Sequence, residues 1–509
     1  MTSVAIATTS ELAAEAAAEV ADAGGNAVDC AVAAALLTMN TEPGVCALAG
    51  SAFVTVWPAN GDPVAIDGNV TVPGHGNSRR SDPDAGIQAV EMEYGGGVKT
   101  LVGVASVAVP GSLAALDLAT RKYGQLAWDA LVRPSIRATR DGFALPSACQ
   151  YYLQYSGEPI FSRSDDGFKA LHDEAGKLLP AGSRIVVPHL ADSLELIATE
   201  GSRAFYEGEL ARRIADHVQS NGGLLTLQDL KRYEPIVREA LQVEINGWSI
   251  ATNPPPAIGG AILCAMLFSF RDCRFESWNE PALQHLIDVQ LATLSYRCDK
   301  LDLSEDVQSD VEQLLSLAQS SELIGRYASA STVHTSAVDG DGLACAITAS
   351  SGYGSGEMPE GTGLWLNNCM GELELNRKGL DAGPVGSRLP SNMAPSVARN
   401  GDRLLAAGSP GADRITTALH QFLVNFVQMD MSLVDAVGHA RMHMEVGGSE
   451  PVLAVEPGLD LPALTMRVKR YAEKGMYFGG VGAALYDPAH GFEVAADPRR
   501  AGGTVICNT

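Results

Sequence analysis

No stretch of this chain is apolar for long enough to cross a bilayer as a helix. Basic residues are scarce: 36 Lys and Arg stand against 60 Asp and Glu, a formal charge of −24. That deficit argues against nucleic acid or an anionic membrane surface as a partner. It leaves the substrate's charge open, because a pocket need not match the bulk. The nine cysteines are odd in number and include no CxxC pair and no Cys/His cluster. A zinc site or a disulfide framework is therefore not expected. The first twenty residues lack a basic start and hold Glu11, Glu15 and Glu19, so they do not read as a signal peptide, and a cytoplasmic protein is expected. Low-complexity tracts are also missing. With 46% hydrophobic and 19% charged residues over 509 positions, the composition is globular and the chain can bury a large core.

Thr8-Thr9-Ser10-Glu11 offers a capping box before an Ala-rich helix that Gly24-Gly25 stops. A second apolar helix is predicted from Asn26 to Met39, and strands near Ala52–Trp57 and Pro63–Ile66. Asn69 to Lys99 reads as one long Gly-rich loop. Helical patterns fill 110–166 and 190–221. A strand is predicted over Ala240–Ile250, and helices from Gly259, after Pro254-Pro255-Pro256, to about Ser320. Thr332–Val338 and Leu343–Ser350 alternate around Asp339-Gly340-Asp341-Gly342, a hairpin signal. Arg403–Ala407 reads as a strand, Gly408–Asp413 as a turn and Arg414–Gln428 as a helix. Strands and helices occur in both halves and no linker divides them, which predicts one interleaved α+β domain.

Three segments could carry chemistry: Ser331-Thr332-Val333-His334-Thr335-Ser336, Ser350-Ser351-Gly352-Tyr353-Gly354-Ser355-Gly356, and Gly408-Ser409-Pro410-Gly411-Ala412-Asp413-Arg414. Singly each reads as structure, since Thr favours strands and Gly/Ser loops are usually turns. Their order, however, matches other signals. Gly24-Gly25-Asn26-Ala27-Val28-Asp29, Val109-Pro110-Gly111, Arg140-Asp141-Gly142-Phe143 and Phe205-Tyr206-Glu207-Gly208 precede them. Leu366-Asn367-Asn368, Arg388-Leu389-Pro390-Ser391-Asn392-Met393-Ala394-Pro395 and Asp497-Pro498-Arg499-Arg500 accompany them. Taken together the chain resembles the γ-glutamyltransferase family of Ntn hydrolases along nearly its whole length.

The resemblance implies a four-layer αββα sandwich built from both halves of a precursor. That precursor would cleave itself between Ser331 and Thr332 into a large region, 1–331, and a small one, 332–509. The fragments would stay together as a heterodimer, and a further homodimer of that pair is compatible with the family. Thr332 would be the nucleophile. Its freed α-amine, with an ordinary pKa of about 7.7–8.0, would take the hydroxyl proton. The resemblance gives Ser350 as a hydrogen-bond partner of the nucleophile, and Gly411 and Ala412 as backbone donors to the oxyanion. Ala412 stands where the family has a second Gly. His334, on the strand face of Thr332, reads as a satisfied polar neighbour. The implied ligands are a small-molecule amide and either water or an acceptor amine, with no metal or organic cofactor.

The positions that grip substrate in this family depart from its pattern. Asn69 stands at the carboxylate-binding Arg, with Arg79 or Arg80 as substitutes. Gly352 replaces an Asn near the amine. Glu372 replaces the amine-binding Asp. Ser391 is kept from a serine pair whose second member is Asn392, and Cys369 falls at a usual Gln or Glu. An amide cannot copy a bidentate guanidinium. Three readings follow: an enzyme acting on γ-glutamyl or closely related amides, an Ntn acylase on a non-glutamyl dicarboxylic monoamide, and an unprocessed, non-catalytic homologue.

Overall fold

The computed structural model describes residues 3–77, 86–94, 97–320, 332–446, 450–500 and 502–508. Two antiparallel sheets form its centre. One has seven strands in the order Gly503–Cys507, Val4–Thr8, Val333–Asp339, Ala344–Ser350, Ser51–Trp57, Val64–Gly68 and Ile236–Glu239. The other has six: Gly491–Ala496, Gly482–Asp487, Arg403–Gly408, Ser396–Asn400, Trp248–Thr252 and Leu241–Ile245. Both sheets mix strands from before and after position 332, so neither half could close its own sheet.

Side-chain alternation along the strands assigns the layers. Val4 and Ile6 pack with the helices Glu11–Asp22 and Ala27–Thr41 on the outside of the first sheet. Ala5 between them faces the second sheet. Likewise Ala251, Val397, Leu404, Ala406 and Ala484 face inward. Ile250, Ala398, Leu405, Ala407 and Ala483 pack outward on the helices Gly259–Phe270, Glu280–Asp299 and Arg414–Leu423. The result is helix, sheet, sheet, helix. Alanine dominates the layer between the sheets, which lets them approach closely. The helix Ala27–Thr41 is buried on every side, as an all-round apolar helix must be.

Several local expectations change. Ser10, not Thr8, caps the first helix and accepts from the Ala13 N–H at 3.2 Å. The segment before it, Val4–Thr8, is a buried central strand whose short apolar run gave no periodicity to read. Ala240–Ile250 is a hairpin rather than one strand. It folds at Asn246 (φ 48°) and Gly247 (φ 80°), the Asn-Gly pairing that two-residue hairpin turns favour. The long loop contains a second hairpin, Gln88–Met92 with Val98–Val102. The hairpin over the Asp339 turn forms in register, Val338 opposite Ala344. Asp339 Oδ1 closes it by accepting from the N–H groups of Asp341 and Leu343, each at 3.0 Å. Among the described residues no helix is long and apolar enough to cross a membrane.

Candidate active site

Thr332 immediately precedes the strand Val333–Asp339, and its parity is that of His334, Ser336 and Val338, which face the second sheet. It therefore sits at the mouth of the layer between the sheets. Continuing the register that pairs Val333 with Ala349 carries Thr332 across from Ser350, and both line one cavity. Ser51 joins them from the next strand, where its hydroxyl donates to the Ser350 carbonyl at 3.0 Å. Ser350 Oγ accepts from the Gly352 N–H at 3.2 Å. Ser331 lies outside the described residues.

His334 is fully engaged beneath the cavity. Nδ1 meets Thr348 Oγ1 at 2.8 Å and Nε2 meets Ser336 Oγ at 2.7 Å. Ser336 donates its one hydroxyl proton to the Gly482 carbonyl at 3.1 Å. It must then accept from Nε2–H, which leaves Nδ1 to accept from Thr348. Burial lowers the imidazole pKa to about 3, so the ring is a neutral strut. Gly408 makes room for it, because a Cβ there would overlap the imidazole.

The turn Gly408–Asp413 leads into the helix Arg414–Leu423. Gly411 (φ 124°) and Ala412 (φ 58°) both take left-handed backbone conformations. Alanine pays about 1 kcal/mol for this, so the turn is held by its surroundings. Among the described residues no acceptor takes either N–H. Ala412 lines the Thr332 cavity, whereas Gly411 lines a neighbouring one. Their shared peptide thus forms the wall between the two.

The opposite wall carries the substrate-grip positions. Glu372, Ser391 and Asn392 line the cavity with Cys369 and Asn376. Glu372 is buried and its Oε1 has no hydrogen-bond partner. Burial, then the nearby carboxylates of Glu374 and Asp413, push its pKa well above the usual range. Asn392 donates to Asp413 Oδ1 at 2.8 Å and leaves its own Oδ1 buried and unpartnered. Asp413 is in turn held by the buried Arg297, which also grips Asp302 at 2.9 Å. Burial raises Asp413 to about 7, with Arg297 opposing the rise. Sequence reading passed over Ser51, Arg297 and Asp413 as site residues. The first two gave no local signal, and Asp413 was visible only as part of the turn motif.

Two grip positions do less than the pattern implied. Asn69 lines the cavity, but its amide is committed elsewhere: Nδ2 donates to the Leu389 carbonyl at 2.6 Å and Oδ1 accepts from Val70 N–H at 3.0 Å. Gly352 does not line the cavity. It packs against Asn368 and Glu372, where a Cβ would crowd Glu372 Oε2 at 3.2 Å. Arg79 and Arg80 lie outside the described residues. Among the described residues no Lys, Arg or His lines this cavity.

The match with known families agrees with this geometry. The family model described as "Gamma-glutamyltranspeptidase" covers residues 13–507. The chain belongs to the gamma-glutamyltranspeptidase family. It is 30% identical to the glutathione hydrolase proenzyme of Escherichia coli (strain K12), over 94% of this chain and 87% of that one. It is 28% identical to the acylase ACY 1 proenzyme of Pseudomonas sp. (strain SE83), over 98% and 93%. A crystal structure of cephalosporin acylase from Bacillus halodurans superposes with a TM-score of 0.80 at 22% identity, covering 99% of this chain and 96% of that one. At that identity the superposition speaks for the fold. Membership of the transpeptidase family makes the protein an enzyme of the Ntn amidohydrolase and acyltransferase class.

Proposed function

We propose that the protein is a self-processing N-terminal-threonine hydrolase and acyltransferase acting on γ-glutamyl or closely related amides. The carrying observation is that Thr332, Ser350, Ala412, Glu372, Ser391 and Asn392, drawn from separate segments, line one cavity at the mouth of the layer between the sheets. In maturation Thr332 Oγ attacks the Ser331 carbonyl carbon, the acyl group moves from nitrogen to oxygen, and water hydrolyses the ester. This frees the Thr332 amine. In turnover that amine takes the Oγ proton as Oγ bonds to the substrate carbonyl carbon. The developing oxyanion accepts from the N–H groups of Gly411 and Ala412, which no acceptor among the described residues takes. The C–N bond then breaks, the proton passes to the leaving nitrogen, and water or an amine resolves the ester.

The cavity's polarity supports an acyl group that carries a donor. Its unpartnered buried atoms are Asn392 Oδ1, an acceptor, and Glu372 Oε1, an acceptor once the carboxyl is ionised, which a substrate ammonium beside it favours. They suit the ammonium of a γ-glutamyl group, while its carboxylate retains the Ser391 hydroxyl. The second reading, an acyl group without an amine, keeps the likeness to a relative named an acylase, whose name specifies no acyl group. A dicarboxylic acyl chain, however, would place its carboxylate beside Glu372 with no cation lining the cavity among the described residues; it fits only while the raised pKa keeps Glu372 protonated, since an uncompensated buried charge costs several kcal/mol.

Intact mass of wild type and Thr332→Ala is the first test. Wild type should split into 1–331 and 332–509, and the variant should stay whole. A wild type that stays whole would remove the nucleophile assignment and leave the non-catalytic reading. Nitroaniline release from γ-glutamyl and glutaryl anilides then chooses between acyl groups, and a glutaryl preference would overturn the γ-glutamyl reading.

A further inference from the structure

Resting on the placement of the acyl group beside Thr332, a second cavity becomes informative. The Thr332 cavity is narrow, about 20 Å3, whereas the space on the other side of the Gly411–Ala412 peptide is about 330 Å3. The larger one falls within the range of about 300–1,000 Å3 usual for small-molecule sites. Gly411 lines it and Ala412 lines the other. A carbonyl oxygen held by those two N–H groups would therefore have its acyl chain on the Glu372 side and its nitrogen on the far side.

That far side differs in character. Its walls are Tyr94 and Tyr151 on one part and Tyr471 and Tyr477 on another. Tyr471 and Tyr477 stack with centroids 4.9 Å apart and 23° between their planes. Tyr94 and Tyr151 lie 6.3 Å apart and tilted. Such faces accept a flat ring by offset or edge contact. Two guanidinium groups also line it. Arg414 lies 4.7 Å over the Tyr477 ring and donates through Nε to the Tyr477 carbonyl at 3.1 Å, which fixes its plane. Arg500 is laid along Gly480, and its Nε is buried with no hydrogen-bond partner. Among the described residues neither arginine makes an ion-pair contact, though the charge of Arg500 reaches the buried Glu42 and that of Arg414 reaches Asp413 and Glu374. Among the described residues the only acid in the lining is the exposed Glu473. The two cavities thus have opposite polarity: acceptors on the acyl side, aromatic faces and cations on the amine side.

We infer that the tyrosine-walled cavity binds the amine half of the substrate, as leaving group and as acceptor, and selects an amine that carries both an aromatic ring and a carboxylate. The ring sits among the tyrosines and the carboxylate pairs with the Arg500 guanidinium, with Arg414 beside it. Arg500 Nε has no hydrogen-bond partner, and a carboxylate that reaches the guanidinium gains a charge-assisted hydrogen bond there.

Calorimetric titration of 4-aminobenzoate and of aniline into the protein reads this cavity without any acyl group. At least tenfold tighter binding of 4-aminobenzoate is expected, and Arg500→Gln should remove the difference. Intact mass showing the same two fragments checks that the variant folds. Equal binding by wild type overturns the inference without reference to any variant. A preference that persists in a folded Arg500→Gln protein also overturns it. A parallel comparison of γ-glutamyl-3-carboxy-4-nitroanilide with γ-glutamyl-4-nitroanilide should favour the carboxylated one by at least tenfold in kcat/KM. Turnover of both at equal kcat/KM refutes the amine-side selection and leaves the γ-glutamyl reading standing. If neither anilide is turned over while 4-aminobenzoate binds selectively, the γ-glutamyl reading falls and the cavity assignment stands.

Discussion

Replacing Glu372 by Gln tests the acyl side most directly. Glu372 is buried, its Oε1 faces no donor in the described structure, and it lines the Thr332 cavity. Gln keeps the volume and removes the charge. Exchanging a charge-assisted hydrogen bond to a substrate ammonium for a neutral one removes about 1–1.5 kcal/mol. At about 1.4 kcal/mol per decade, that is a loss of roughly 5- to 12-fold in kcat/KM for a γ-glutamyl anilide. A glutaryl anilide, which lacks the ammonium, should lose nothing or gain. Nitroaniline release measured with both substrates on fully cleaved protein gives the ratio. Its pH dependence adds a second readout. Burial raises the Glu372 carboxyl well above its ordinary range, so the acid limb of γ-glutamyl kcat/KM should lie above that range and flatten in the variant. The same raised pKa means that the fold keeps a proton the unfolded chain releases near pH 4.5. Stability therefore falls as pH rises from there towards the folded pKa, and Glu372→Gln should be the more stable protein at pH 8. Equal losses on both anilides, or an unchanged γ-glutamyl kcat/KM, would refute the assignment of Glu372 to the substrate amine.

Two further outcomes follow from the strut beneath the nucleophile. Gly408→Ala forces a methyl into the His334 imidazole. It should cost about 1–3 kcal/mol in urea unfolding and slow nitroaniline release at least about tenfold, because the displaced strand also carries Thr332; unchanged stability would mean the ring can move aside. His334 has a pKa of about 3 in the fold, against an ordinary value of 6.5. Its contribution is therefore whole above about pH 6.5 and is lost as pH falls towards 3. Between pH 7 and 4.5 that share is about 2.5 kcal/mol, and the acid loss of stability should be smaller by that amount in His334→Asn, read from urea midpoints at the two pH values.

Much of the scaffold was legible locally because its signals are local. The alternation of Thr332–Val338 and Leu343–Ser350 around an Asp-Gly turn specifies a hairpin whatever surrounds it, and the hairpin forms, with Val338 opposite Ala344. The Ala-rich helices and the turn before Arg414 are equally self-declaring. The strand Val4–Thr8 was not legible. Five residues buried on both faces show no polar alternation, and only its place between Val333–Asp339 and Gly503–Cys507 makes it a strand. Asn246-Gly247 is the opposite case, a turn signal present in the sequence and overlooked inside an apolar run.

The site divides along the same line. By itself the sequence determined the family, the nucleophile candidate, and the fact that the substrate-gripping residues depart from the family pattern, because these are identities in order along the chain. Tertiary structure alone decided what those departures mean. It spends the Asn69 amide on Leu389 and Val70, sets Gly352 behind Glu372 rather than in the cavity, and ties Asn392 to Asp413 and Arg297 from a helix far away in sequence. It also divides Gly411 from Ala412 between an acidic acyl cavity and a tyrosine-walled one. Whether a polar atom is satisfied or left open depends on partners brought hundreds of residues across the fold, and no spacing along the chain encodes that.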